Sequence, residues 1–213
     1  MPKQSDAFPA PHPSTPQEAL ELLLEGNRRH QEGRLELHDH SPVADERAER
    51  QMPFAAIVSC ADSRVSPTLI FDVDRGNIFS SKVAGNVIDT GTLGSTEFAV
   101  KVLGVKLVMV LGHSNCGAVT AAIDAANGTA SFPAGEYGAI GSLVERIVPA
   151  IEAVPTAERT RPACVGANAV AQAADIASRG PIVKQAVEAG AIDVVAAVYD
   201  LETGGVSVLS PVT

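Results

Sequence analysis

The chain has 213 residues, 46% of them hydrophobic and 19% charged, with a formal net charge of −9, which suits one globular domain with a sizeable core. It carries no Lys/Arg-rich run and no apolar run of bilayer length, so nucleic-acid and membrane partners are excluded from the reading. An anionic substrate is not, because a single arginine can dominate a local field.

Residues 1–15 include Pro2, Pro9, Pro11 and Pro13 and lack the cationic and apolar segments of a secretory signal. They read as a mobile tail on a cytoplasmic protein, with residues 16–213 as one domain. A first helix is expected over 15–33. Thr15 is the N-cap, Pro16 takes the first helical position, Glu18 completes a capping box, and Leu20, Leu23 and Leu24 repeat at helical spacing. This helix stands apart from the later core pattern, and a partner subunit is one surface it could pack on.

The apolar run 54–59 ends in Cys60 and reads as a buried strand. A second strand, 77–83, leads into Ala84-Gly85-Asn86. A helix follows over 92–103, then a strand over 106–111 that runs into Gly112-His113. Further helices are expected over 117–126, 139–154 and 164–177, with a loop at 127–135 and a short helix opened by Pro181. The run 193–199 is a fourth strand, and 206–209 a short antiparallel edge after a turn. Such alternation implies an α/β fold, a mostly parallel central sheet flanked by helices. It also sets Cys60 and His113 at C-terminal strand ends, the edge where open α/β sheets bind ligands.

Two short motifs carry the chemistry, Cys60-Ala61-Asp62-Ser63-Arg64 and His113-Ser114-Asn115-Cys116. Three cysteines in all argue against a disulfide framework and for metal-bound or free thiols. Cys60, His113 and Cys116 supply three soft ligands for Zn2+ and leave the fourth position open, the pattern of a catalytic rather than a structural zinc. The third cysteine, Cys164, reads as a buried helix residue. Arg64 can hold Asp62 ionised through a two-pronged contact, so that Asp62 accepts the proton of zinc-bound water. Released by Arg64, the same carboxylate could itself fill the fourth zinc position. Taken singly, each residue has a bland reading as a core cysteine, a satisfied histidine or a surface ion pair. At matched strand ends those readings must all hold at once.

At these motifs the chain resembles the β-class carbonic anhydrases, whose signature is Cys-x-Asp-x-Arg followed later by His-x-x-Cys. The likeness extends to Leu24-Glu25-Gly26-Asn27-Arg28, Ala84-Gly85-Asn86, 94–99, Val198-Tyr199-Asp200 and Thr203-Gly204-Gly205, nearly the whole of residues 16–210. The resemblance implies reversible hydration of carbon dioxide to bicarbonate, and obligate homodimers, often paired into tetramers, with the site at the dimer interface. It assigns Gln51 to hydrogen-bonding substrate, Phe79, Ala84 and Phe98 to an apolar carbon dioxide pocket, and Gly117 to its backbone edge. For Phe79 and Phe98 the competing reading is core packing. Phe98 replaces a usual tyrosine and Ala84 a frequent valine. Ile57 stands where the closable subgroup has a tryptophan, which favours an open, water-bound zinc. Two other functions fit the same scaffold, hydrolysis of carbonyl sulfide or carbon disulfide and a catalytically silent zinc assembly domain. His38 and His40 are proton-shuttle candidates by residue type only, with a solvated loop as the alternative.

Overall fold

The computed structural model describes residues 12–38, 50–132 and 138–212. Residues 1–11 of the expected tail, and His40, lie outside the described residues. Helix α1 (Pro16–Gln31) begins at Thr15, whose hydroxyl accepts from the Glu18 N–H while the Glu18 carboxylate accepts from the Thr15 N–H. This is the capping box that the spacing predicts.

One stripe of α1, with Ala19, Leu23, Gly26 and Asn27, is buried. At Gly26 any Cβ would collide with the Phe71 carbonyl oxygen, so only glycine permits the close approach. The Asn27 amide donates to the carbonyls of Ile70 and Gly204, and its oxygen accepts from the Val206 N–H. Helix α1 is therefore docked on its own chain, whatever it also meets in a partner.

Strand β1 (Ala55–Ser59) is buried throughout. It is followed by a short helix, α2 (Pro67–Ile70), that the sequence pattern does not announce, and then by β2 (Ile78–Lys82). The helix expected over 92–103 is two pieces. Helix α3 (Thr90–Phe98) is capped by the Asp89 carboxylate, and a π-helical turn, Ala99–Leu103, closes on Gly104 in the left-handed region. Strand β3 (Leu107–His113) leads into α4 (Gly117–Ala126), α5 (Ala139–Glu152), α6 (Arg161–Arg179) and α7 (Pro181–Glu188). Strands β4 (Asp193–Tyr199) and β5 (Val206–Val212) end the fold. Helix α6 starts three residues earlier than expected because Thr160 caps it and Pro162 falls in its first turn.

The sheet order is β2-β1-β3-β4-β5, parallel except for the antiparallel β4–β5 pair. Alternate strand residues face two clusters. Ala55, Ile57, Leu107, Met109 and Leu111 pack with Ala19, Leu23 and Phe71. Ala56, Val58, Val108 and Val110 pack with Ala169, Ala173, Ile176 and Val183. Helices cover both faces, as near-continuous apolar parallel strands require. No helix among the described residues is long and apolar enough to cross a membrane.

Candidate metal centre

Strand β1 passes outward to β2, while β3 lies on its other side and leads to β4. The crevice between the C-terminal ends of β1 and β3 is thus the point where the strand order reverses, the natural ligand position of such a sheet. Ser59 is in register with Leu111, so Cys60 leaves β1 beside the last residues of β3. His113 ends β3, and a tight turn with Asn115 at φ 59 brings Cys116 to the start of α4. The three side chains are buried, and their ligand atoms lie within 4.8 Å of one another.

Their arrangement fits zinc. The two sulfurs are 3.9 Å apart, close to the roughly 3.8 Å that two thiolates at 2.3 Å from one tetrahedral ion must have. His113 Nδ1 lies 2.9 Å from the Ser114 carbonyl oxygen. A carbonyl only accepts, so Nδ1 carries the proton and Nε2 presents its lone pair. That Nε2 is buried without a hydrogen-bond partner, an orphan that a metal would satisfy.

The thiol of Cys116, hydrogen-bonded to Cys60 Sγ, pulls the Cys60 pKa down to about 4. Burial opposes this, while His113 and the N–H groups of Gly85 and Asp62 assist it. The same contact and burial push Cys116 up. A dication held between them would let both sulfurs be thiolates.

Two further elements hold the Cys60 environment. The Gly85 N–H points at Cys60 Sγ, 3.4 Å away. Gly85 has φ 70, a conformation that favours glycine, and a Cβ there would stand 2.5 Å from Ile147 Cδ1. From α6, Asn168 donates to the Gly85 carbonyl and Gln172 accepts from the Ile88 N–H; Gln172 also donates to Asn168. These clamps are absent from the sequence reading. Their available signal was two amides one helical turn apart on the buried face of an alanine-rich helix.

Asp62 and Arg64 meet as expected. Arg64 Nε and its backbone N–H each donate to Asp62 Oδ1 at 2.9 Å, and a terminal guanidinium nitrogen donates to Oδ2 at 2.8 Å. The Arg64 side chain holds the Asp62 carboxyl well below the usual range, against the opposing effect of burial. Asp62 Oδ2 lies 3.9 Å from His113 Nε2, beside the place where the three ligands converge.

The remaining expected residues divide. Ala84 adjoins Gly85 in the 3₁₀ turn beside Cys60, and Gly117 directly follows Cys116. Gln51 precedes β1, at the opposite end of that strand from Cys60. Phe79 stands in register with Ala56, four residues before Cys60. It meets Phe98 ring to ring, with centroids 6.3 Å apart, and Phe98 is 46% exposed. Gln51, Phe79 and Phe98 are therefore not gathered with Cys60, His113 and Cys116 within one chain. His38 is half-buried against Asp72 rather than in a solvated loop, and Cys164 is fully buried in α6.

The carbonic anhydrase family model matches residues 55–206. The chain belongs to the β-class carbonic anhydrase family. It is 35% identical over 201 residues to carbonic anhydrase of Mycolicibacterium smegmatis, covering 92% of this chain and 95% of that protein. It is 44% identical over 141 residues to carbonic anhydrase 2 of Mycobacterium tuberculosis, covering 65% of each. Among solved structures, the Coccomyxa β-carbonic anhydrase in complex with acetazolamide superposes with a TM-score of 0.66 at 28% identity, covering 78% of this chain and 76% of that one. Cys60, His113, Cys116 and the Asp62–Arg64 pair all fall inside the matched segment.

Proposed function

We propose that this chain catalyses the reversible hydration of carbon dioxide to bicarbonate and a proton, with zinc held by Cys60, His113 and Cys116. The observation that carries the reading is the Asp62 carboxylate, 3.9 Å from the orphaned His113 Nε2 while Arg64 donates to both its oxygens. Zinc, when bound there, supplies the Lewis acidity that makes a water molecule nucleophilic near neutral pH.

The chain's own groups do the rest. Arg64 keeps Asp62 ionised, and Asp62 accepts a hydrogen bond from the attacking water, turning its lone pair toward the carbon of carbon dioxide. While the fork is closed, the carboxylate is held as an acceptor and kept from serving as a fourth ligand; opening the fork releases it to shut the site. Ala84 and Gly117 leave an uncharged wall beside the trio, suited to an apolar, linear substrate.

Gln51, Phe79 and Phe98 complete the substrate pocket from a second copy of the chain, in a homodimer or tetramer. Their displacement from the trio within one chain supports this, as does the exposure of Phe98 and Val102. A site built on two thiolates suits the reducing cytoplasm.

Stopped-flow carbon dioxide hydration by the zinc-loaded protein tests the reading. The expected result is turnover far above background that disappears on chelation and returns with zinc. A background rate, alongside sulfide release from carbonyl sulfide, would replace this activity with that of a sulfur-substrate hydrolase. A background rate on both substrates would leave a silent zinc domain.

A further inference from the structure

The turn that carries Asp62 and Arg64 lies beyond the end of β1, outside the sheet hydrogen bonding. Within the turn, the Val65 N–H donates to the Asp62 carbonyl at 3.1 Å. One long side chain reaches it from the neighbouring strand. Lys82, the last residue of β2, is in register with Ser59, and its ammonium donates to the Val65 carbonyl at 2.7 Å and to the Asp62 carbonyl at 3.3 Å. A single cation thus bridges the first and last residues of the turn.

We propose that Lys82 is a positioning residue for the Asp62–Arg64 fork; the proposal rests on the carbonic anhydrase reading. The two ends of the turn are already held by other means. At one end the preceding residue, Ala61, is bound through its N–H to the Val83 carbonyl, and at the other the Val65 side chain is fully buried. Between them Arg64 is mostly exposed, and its fork to Asp62 spans only two residues. The fork can therefore form in more than one orientation of the turn, and what aims the carboxylate toward His113 Nε2 is the orientation of the turn itself.

Lys82 ties that orientation to β2, which also pairs with the same segment through Ala61 N–H to the Val83 carbonyl and Val83 N–H to the Ser59 carbonyl. A charged donor to two carbonyls is stronger than neutral bonds of the same length. An ammonium on a flexible stem reaches both carbonyls because its three donors diverge. Lys82 touches neither the ligand atoms nor the fork's own carboxylate oxygens, so it acts through the backbone of Asp62.

The test compares wild type with Lys82→Met, which keeps the apolar stem and removes the ammonium, and with Lys82→Arg, which restores a cation. The readouts are zinc content, amide hydrogen exchange of residues 61–66, and kcat and KM separately. For Lys82→Met the expected results are unchanged zinc content, exchange about tenfold faster in 61–66 with other segments unmoved, and kcat lowered about tenfold with KM little changed. Lys82→Arg should recover most of both effects. Exchange in 61–66 at the wild-type rate overturns the proposal, as does faster exchange across the whole chain or faster local exchange with unaltered kcat. If wild type itself hydrates no carbon dioxide, the enzymatic reading fails, while the exchange arm still decides whether Lys82 holds the turn.

Discussion

Two aspartate–arginine pairs sit toward opposite ends of the sheet. Asp62 and Arg64 are two residues apart in one turn, and the Arg64 side chain is 56% exposed. Asp72 and Arg29 are 43 residues apart and join α1 to the segment after α2, with the Asp72 side chain only 2% exposed. Arg29 Nε donates to Asp72 at 2.6 Å and a terminal guanidinium nitrogen to the Asp72 carbonyl, while the Glu36 N–H and His38 Nε2 take up the rest of the carboxylate. The first pair can open by rotating an exposed side chain. The second cannot open without undocking α1, because its carboxylate would be left buried without its arginine. The pair that is free to open is local and wet; the pair that holds elements together is long-range and dry.

The sharpest way to break this contrast begins with the proposed zinc ligands beside the first pair. Cys116→Ser should lower zinc affinity by more than about a hundredfold and abolish activity, measured as metal per chain after dialysis. Zinc retained in full would remove Cys116 from the ligand set.

Next comes the exposed fork itself. Arg64→Ala should keep zinc and the melting temperature but lower kcat by about a hundredfold, since Asp62 is no longer held off the metal. Undiminished turnover would show that the fork is a surface ion pair like many others.

The buried pair should behave in reverse. Arg29→Ala should cost about 2–3 kcal/mol in chemical denaturation, below the full cost of an unpaired buried charge because the Glu36 N–H and His38 remain. Zinc content and kcat per folded molecule should not change.

The smallest effect is on acid stability. Burial alone would raise the Asp72 carboxyl, but Arg29, the Glu36 N–H and His38 outweigh it and leave it below its ordinary value of 3.8. A depressed folded-state value means that the stabilisation is complete above about pH 4 and is lost as pH falls through the folded value. Asp72→Asn should therefore flatten the stability–pH curve below about pH 4 relative to wild type. An unchanged acid limb would strip Asp72 of this role.

Much of the site was legible from residue order because its parts are local. Cys-x-Asp-x-Arg and His-x-x-Cys each span a single turn, and buried strands before Cys60 and His113 announce themselves as apolar runs. The capping box of α1 was equally readable, since Thr15 and Glu18 need only their own spacing. The π turn at Ala99–Leu103 was not, because a single widened turn is too short to establish a period of its own. Nor was the clamp of Asn168 and Gln172 on the turn beside Cys60: two amides one helical turn apart mark a buried polar face, but not partners more than eighty residues away.

The chemistry of the first pair, a fork closed over two residues, followed from the chain's covalent order alone. So did the donor set that suits zinc and the alternation that dictates a parallel sheet. Tertiary structure decided which residues surround that fork. Strand order placed Cys60 beside His113 at the reversal point, and strand register carried Lys82 to the Asp62 turn. It also left Gln51 ahead of β1 and Phe79 near the start of β2, away from Cys60. Such placements depend on which strands become neighbours, a choice made by burying apolar faces collectively and invisible in any short stretch of sequence.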